Sequence, residues 1–444
     1  MEITLEKKNK TEGLLTIRLA KTDYQQRFEE KLKEYARHAQ IKGFRQGKVP
    51  SGLIKKMYGK SILADEIQAL LNQHVGDYIR NNKLNIVGDL MPLTPSFTPG
   101  DVDTLDDIEM QFHIGMADEF KCELSDKIKL TRYRIEVADK AVEETVENLR
   151  KRFAKTTYPE ISEAGNDLMG SIQSEDGSLQ AMAYLKYDWL TPEAQKLTEG
   201  RKKDDEIELL LPDMVASPEY LSRMFSVKAE DEEKLKGRFK FKVITISRSE
   251  PAEINQELFD RVFGKDTVTG EEAFLQKIRE TIERNYAREA ETLLHHEIED
   301  YLIEHTKISL PENFLRNWLK ADNEGKITDE VLDKEFPSFL RSLKWSLIKK
   351  KIAEEHQVSV ATEEVTQRAA NMLIQEFGTS EAVMSQLDKL VNNYLTHENG
   401  RNFNRLYDQI QLEKIMGIIK DKIKISEKTI SFEEFRKIAE KHKH

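Results

Sequence analysis

The chain of 444 residues is too long for one compact domain, and its length predicts two to four folding units. Charged residues make up 34% of the chain and the formal net charge is −11, which favours a largely helical protein and argues against a general nucleic-acid binder. The single cysteine, Cys122, excludes an intramolecular disulfide bond. Without a secretory signal or a run of about 20 apolar residues, the sequence predicts a cytoplasmic protein with no membrane partner.

The first 115 residues have the pattern of a small α+β domain. Residues 1–20 alternate apolar and polar side chains, which predicts two strands joined through Lys10–Gly13. A helix is expected after Asp23, because apolar side chains then recur every three or four positions, at Tyr24, Phe28, Leu32 and Tyr35. A loop, a short helix over 51–59, a longer helix over 61–82 and a strand near 105–116 complete the predicted order β-β-α-loop-α-α-β.

The remaining chain is predicted to form three segments. Residues 116–152 form a connector with an amphipathic helix, whose apolar stripe consists of Val142, Val146, Leu149 and Phe153. Residues 153–248 contain four short apolar runs typical of strands, "DLMGSIQS", "AMAYLKYDWL", "EIELLL" and "RFKFKVITI". Residues 249–444 are predicted to be helical almost throughout.

The stretch "IKGFRQGKVP" breaks this regular pattern between the first two predicted helices. Gly43 and Gly47 permit tight turns, so Phe44 and Arg45 can project from a loop tip. From Lys42 to Lys60 the chain carries six basic residues and no acidic one, in a protein that is acidic overall. Such a tip suits docking onto a surface that mixes phosphate and protein. A solvated basic loop whose phenylalanine folds back onto the helix pair is the alternative interpretation.

The segment "GFRQGKVP" resembles the ribosome-docking signature of the trigger factor family, bacterial chaperones that meet nascent chains at the ribosomal exit tunnel. The motif matches at Gly43, Phe44, Arg45, Gly47 and Pro50. The resemblance implies that these residues, aided by Lys48, bind exit-tunnel protein and ribosomal RNA. The position after the arginine is often basic in the family and is Gln46 here. Weaker electrostatic docking is expected unless neighbouring lysines compensate.

The resemblance extends along the whole chain, since "LFDRVFGKDTVTGEEAFLQKIRETIERN", "KISLPENFLRNWL" and "KISEKTISFEEFRKIAE" are similar to later landmarks of the family. It implies an α+β multidomain protein with a ribosome-binding domain (1–115), a connector (116–152), a β-rich FKBP-like domain (153–248) and an elongated all-α domain (249–444). It also implies an ATP-independent chaperone without a cofactor that shelters nascent or unfolded polypeptides. Homodimerisation of the free chain stays open.

Two interpretations of the middle domain stay open. The first is a divergent peptidyl-prolyl isomerase with aromatic side chains around its pocket, at Tyr184, Tyr187, Trp189, Tyr220 and Phe225. The second is a fold retained for spacing or substrate contact, with those aromatics in its core. We favour the second because no Pro-Gly-Phe segment lies between Leu168 and Ile246, and we assign no catalytic residue. An RNA-binding module is a third hypothesis, which the net charge disfavours.

The helical domain carries apolar residues at helical spacing that could contact an unfolded client, and methionine suits varied clients because its side chain is flexible and polarizable. The candidates are Met372, Phe377, Met384, Tyr394, Phe403 and Met416. Such stripes are more often core than binding surface, so part of the set is expected to be buried. "HHE" at 295–297 lacks the spacing that places two histidines on one helix face, so no metal site is predicted.

Overall fold

The computed structural model describes residues 1–42, 44–45, 47–93, 106–211, 237–323 and 326–442. The chain divides into two compact units, Met1–Thr131 with Leu294–Ser426 and Arg132–Leu293 with Glu427–His444. Each unit therefore combines segments that are far apart in sequence.

The N-terminal part of the first unit is an antiparallel four-stranded sheet, in the order β1-β2-β4-β3, packed against two helices. Its core includes Leu15, Ile17 and Phe28, each at most 1% exposed. The elements are β1 (Glu2–Lys7), β2 (Glu12–Leu19), α1 (Lys21–His38), α2 (Ser51–Asn81), β3 (Ile86–Pro92), β4 (Ile108–Met116) and, in chain order after the sheet, β5 (Lys129–Ile135).

Two sequence-based expectations for this part were wrong. The helices expected over 51–59 and 61–82 are one helix, α2, which passes through the buried Gly59 without a break. Strand β3 was not anticipated. It pairs with β4 at Ile86 and Val87, and again at Met91 and Pro92 after a register shift. Proline is tolerated there because β3 is an edge strand of the sheet.

The second unit contains the predicted connector helix and the β-rich domain. Four predicted strands are confirmed as β7 to β10, and the antiparallel sheet has the order β6-β10-β7-β8, with β9 pairing to β10. Aliphatic residues and the fully buried Phe239 and Phe241 fill its core. The elements are α3 (Asp139–Arg152), β6 (Lys155–Thr157), β7 (Asp167–Ser174), β8 (Gln180–Leu185), α4 (Pro192–Thr198), β9 (Glu206–Leu211), β10 (Gly237–Glu250) and α5 (Gln256–Phe263).

The predicted stripe of α3 is confirmed as a buried face. Val142 and Val146 are buried, and Leu149 and Phe153 pack against the same cluster. That cluster also contains the stacked rings of Phe259 and Phe274, whose centroids lie 4.4 Å apart.

The remaining described chain is mostly helical, as expected. Its elements are α6 (Glu271–His305), α7 (Glu312–Asp322), α8 (Asp329–Glu355), α9 (Thr362–Phe377), α10 (Glu381–Met384), α11 (Leu387–Lys422), β11 (Lys424–Ile430) and α12 (Phe432–Ala439). Helix α11 is interrupted at His397, Glu398, Asn399 and Gly400, whose backbone angles are not helical. Strand β11 pairs with β5 in a two-stranded sheet.

Within the first unit, α7 packs against the N-terminal sheet because two strand positions carry no side chain. A Cβ atom at Gly115 would lie 2.4 Å from Cδ1 of Phe314, and one at Gly88 would lie 3.0 Å from Cδ2 of Trp318. Phe314 also meets the ring of His113 edge-on, at 5.0 Å between centroids. The glycines therefore admit two large aromatic side chains against the sheet.

Candidate functional site

The segment between α1 and α2 is held at both ends by the core of the N-terminal sheet domain. At its start, the backbone N–H of Ala39 donates to the carbonyl of Tyr35 at 2.8 Å and closes the last turn of α1. At its end, Val49 is 5% exposed and Ile54, in the first turn of α2, is fully buried. We call the intervening chain, residues 40–48, the tip loop; its described residues, 40–42, 44–45 and 47–48, follow from this fixed base.

Backbone turns shape the described part of the tip loop. The N–H of Phe44 donates to the carbonyl of Ile41 at 3.0 Å, and the N–H of Lys48 donates to the carbonyl of Arg45 at 2.9 Å. Gly47 has φ of +77°, a left-handed conformation that glycine adopts without steric cost. Gly43 and Gln46 lie outside the described residues.

These turns present an aromatic ring and two cations to solvent. The Phe44 side chain is 43% exposed, and it is not part of the core cluster beneath the loop. Arg45 and Lys48 are exposed. In the part of the chain that the structure describes, neither forms an ion pair or a side-chain hydrogen bond, so both remain available to a partner. In this conformation Phe44 does not fold back onto the helix pair, as the alternative interpretation of the loop would require.

Pro50 fixes the exit from the tip loop. It occupies the N-cap position of α2 with φ of −62°, and its carbonyl accepts hydrogen bonds from the N–H groups of Leu53 and Ile54. Because the proline ring restricts φ, the loop meets α2 at a defined angle.

Three further apolar residues near the tip loop are exposed and were not predicted as site residues. Tyr35, Met57 and Tyr58 are 49%, 52% and 43% exposed. Tyr35 is one of the apolar positions from which α1 was predicted, but the buried residues of α1 are Tyr24, Phe28, Leu32 and Ala36. One sequence signal could have identified this surface: the chain from Tyr35 to Ala64 contains no acidic residue.

The candidate client-contact residues fall into three groups. Phe377 and Met384 are exposed, at 56% and 46%. The other residues of the α9–α11 region, Met372, Tyr394 and Phe403, are half-buried. Tyr394 and Phe403 pack against the cluster that joins α9 to α11.

Met416 does not belong to this surface. It is 2% exposed and lies in the large core cluster of the first unit, so it has no surface to offer a client in this conformation. Its position on α11 places it on the face opposite to solvent, which spacing alone did not reveal.

The three predicted aromatics of the middle domain that the structure describes do not lie in its core cluster. Tyr184 and Trp189 are each 42% exposed, and Tyr187 is half-buried. The hydroxyl of Tyr184 donates to the buried carboxylate of Asp167 at 2.6 Å, and that of Tyr187 donates to the exposed carboxylate of Glu199 at 2.7 Å. Tyr220 and Phe225 lie outside the described residues.

Among the residues that the structure describes, no group of three or more histidine, cysteine or acidic side chains is arranged to hold a metal ion. Over the same residues, no helix combines the length and the apolar character needed to span a bilayer.

The fold and the tip loop define the class: a multidomain α+β protein that exposes a cationic loop with an aromatic side chain. Three family models match the chain: "Bacterial trigger factor protein" over residues 1–149, "Probable trigger factor, FKBP-like domain" over 156–251, and "Probable trigger factor, C-terminal domain" over 290–439. The chain belongs to the trigger factor family.

Curated relatives named "Trigger factor" are similar over nearly their full length. The protein of Chlorobaculum parvum is 24% identical, covering 94% of this chain and 95% of the relative. That of Pelagibacter ubique is 23% identical, covering 100% and 90%. A solved structure titled "Promiscuous Substrate Recognition in Folding and Assembly Activities of the Trigger Factor Chaperone" covers 94% of this chain and 99% of that chain, at 17% identity and a TM-score of 0.45.

Proposed function

We propose that this chain is an ATP-independent chaperone that docks on the ribosome through its tip loop and shelters emerging polypeptides with its helical domain. The observation that carries the proposal is the exposed Phe44 beside Arg45 and Lys48, on a loop free of carboxylates. A guanidinium can bind a phosphate through two parallel hydrogen bonds, and a lysine adds a point charge. The ring supplies apolar contact at the same place.

The proposed partner surface therefore combines ribosomal RNA with an exit-tunnel protein. Burying the exposed part of the Phe44 ring would contribute up to about 1.5–3 kcal/mol. Contacts to phosphate weaken as salt concentration rises, whereas the contribution of the ring does not. Gly43 and Gly47 would shape the loop, and Pro50 would fix its angle to α2.

Ribosome co-sedimentation across a salt series tests the docking site. We expect the Phe44→Ala/Arg45→Ala variant to lose co-sedimentation at every salt concentration, with an unchanged circular dichroism spectrum. The matched control removes an exposed aromatic ring and an exposed cation elsewhere, in Tyr158→Ala/Lys127→Ala. Co-sedimentation of the tip-loop variant at the level of this control would refute the assignment.

The helical domain is proposed to contact clients through Phe377 and Met384, with Met372, Tyr394 and Phe403 contributing their exposed edges. Scattered apolar side chains on a charged surface give several weak contacts, which permit both capture and release. Tyr394 and Phe403 also pack against the cluster that joins α9 to α11, so their role in client contact is secondary.

For the middle domain we propose substrate contact. Met169 and Tyr184 lie opposite each other on β7 and β8 and are 39% and 42% exposed, and Met182 on β8 is 57% exposed. This exposed apolar sheet face supports a role in client contact rather than catalysis. The isolated 153–248 fragment should therefore not accelerate isomerisation of a proline-containing peptide.

The location and the assembly state complete the proposal. A chaperone that meets chains as they leave the ribosome acts in the cytoplasm, and cell fractionation tests this. Self-association of the free chain stays a prediction, and sedimentation equilibrium without ribosomes tests it.

A further inference from the structure

The second unit contains an open cleft that the proposed function does not use. Its volume is about 1410 Å³. Its walls are α3, the first half of α6, the segment 132–138 that includes the end of β5, and β11 with the first residues of α12. Pockets for small ligands usually measure about 300–1,000 Å³. A cleft of this size suits a segment of polymer better than a small molecule.

The lining of the cleft is acidic. Six carboxylates line it, against three cations, Arg132, Arg134 and Lys140. Arg132 is already engaged, with Nε 3.5 Å from Glu291 and Nη1 3.8 Å from Glu427.

Part of this negative charge has no internal partner. The described residues provide no ion pair for three exposed glutamates of the lining, which are Glu136, Glu283 and Glu433. The cleft therefore attracts positive charge and repels acidic polypeptide.

A strand edge runs along the cleft. Every residue from Arg132 to Ala138 contributes to the lining. Consecutive side chains of a strand point to opposite faces, so a cleft that touches each of them follows the edge of β5. In the described chain, β5 pairs with β11 alone, which leaves one edge of β5 without a neighbouring strand. A free edge presents backbone donors and acceptors to which an extended peptide can add as a further strand.

An apolar platform lies in the same cleft. The rings of Tyr286 and Phe432 stack with centroids 4.7 Å apart and planes 10° apart. Phe432 is 37% exposed, and the small Ala287 and Ala290 line the wall beside Tyr286. Burial raises the pKa of Tyr286, and the nearby carboxylates of Glu289 and Glu144 raise it further. The platform thus offers an aromatic surface within an acidic environment.

We propose that this cleft binds an extended, cationic segment of an unfolded polypeptide, which adds as a strand to β5 and places an apolar side chain on the Tyr286–Phe432 platform. The part of β5 that lines the cleft, Arg132 to Ile135, is four residues long and can pair with about four residues of an extended peptide at about 3.3 Å per residue. Alternating cationic and apolar residues fit best, because an extended chain presents them on opposite faces. The inference rests on the proposed chaperone function and adds a second contact site for the client.

Fluorescence anisotropy with two labelled, unstructured peptides tests this. One alternates lysine with tyrosine or leucine, and the other carries glutamate in place of lysine. We expect the full chain to bind the lysine peptide and not the glutamate peptide. In Glu283→Lys/Glu433→Lys, affinity for the lysine peptide should fall about tenfold, since each reversal removes an attraction and adds a repulsion. The same variant should gain affinity for the glutamate peptide, an exchange that partial unfolding would not produce.

The matched control is Glu143→Lys, a charge reversal on an exposed position of α3 outside the cleft. It should bind both peptides as the unmodified chain does. Equal binding of the lysine peptide by the cleft variant and this control would overturn the proposal, as would equal binding of both peptides by the unmodified chain. Ribosome co-sedimentation of the cleft variant should be unchanged. Loss of docking in the tip-loop variant and loss of peptide selectivity in the cleft variant are therefore separate results.

Discussion

Arg368 on α9 and Glu413 on α11 form two parallel hydrogen bonds, in which Nη1 donates to Oε1 at 2.9 Å and Nη2 donates to Oε2 at 2.6 Å. Beside them, Nζ of Lys414 donates to Glu364 at 2.8 Å and to the carbonyl of Ser359 at 2.7 Å. These bonds join the same two helices that the apolar cluster around Val365 and Leu406 holds together. They fix the helices that carry the proposed client-contact residues.

Glu413→Gln should lower the free energy of unfolding by about 0.5–1 kcal/mol, because both partners are substantially exposed and solvent screens the pair. The hydrogen bonds from Arg368 hold the pKa of Glu413 below its ordinary value. The pair therefore contributes its full stabilisation of the fold above the ordinary pKa of glutamate. This stabilisation decreases as pH falls through the lowered pKa of Glu413. Thermal unfolding followed between pH 3 and 7 measures this loss of stability. The ordinary pKa of glutamate is about 4.3.

In the Arg368→Ala variant, the loss of stability that accompanies protonation of Glu413 should be smaller. An identical pH profile in this variant and the unmodified chain would contradict the assigned role of the pair.

Gly115→Ala should destabilise the packing of α7 on the N-terminal sheet by about 1–3 kcal/mol, because the added Cβ would overlap the ring of Phe314. Chemical denaturation measures the change. Gly76→Ala on α2 is the matched control, since a Cβ there meets nothing within 4 Å. Replacing glycine by alanine in the interior of a helix should stabilise the protein by about 0.5–1 kcal/mol. Opposite signs for the two glycines are expected, and equal effects would show that Phe314 does not need the space.

Met416→Ala and Phe377→Ala should separate core from client surface. The first variant removes a side chain that is 2% exposed and should cost about 2–5 kcal/mol of stability. The second removes a ring that is 56% exposed and should leave the melting temperature nearly unchanged. Suppression of aggregation of an unfolded client should weaken in Phe377→Ala/Met384→Ala while the fold is retained. Full suppression by that double variant would remove these residues from the proposed client surface.

Asp176 should titrate at unusually low pH. Its carboxylate accepts hydrogen bonds from the hydroxyl of Ser174 at 2.6 Å and from the N–H and hydroxyl of Ser178 at 3.0 and 2.8 Å. These bonds, with that from Ser174 the largest contribution, lower the pKa of Asp176 to about 2. The turn between β7 and β8 is therefore supported above the ordinary pKa of aspartate and loses this support as pH falls towards 2.

Nuclear magnetic resonance titration of the Asp176 side chain measures this value. Ser174→Ala should raise the midpoint towards the ordinary value for aspartate. A midpoint that does not move in this variant would assign the low pKa to another cause.

The local pattern of the sequence was sufficient for the tip loop and for many individual elements. Glycines and a proline around Phe44 and Arg45 predicted a projecting loop, and the structure exposes both side chains. Alternation predicted β1 and β2, and helical spacing predicted the buried face of α3. Each of these features depends on residues that are close in sequence, so the pattern contains the information.

Only the tertiary structure decided which apolar faces are covered and which distant segments meet. Met416 and Phe377 both fit a helical stripe, yet one is in the core and the other is exposed, because burial depends on the helices that pack against each position. The acidic cleft joins Arg132 to Glu291 and Glu427, from three separate segments of the chain. The periodicity of apolar residues predicts that a helix or strand has an apolar face. Which segment covers that face depends on residues far away in sequence, and therefore on how the whole chain packs.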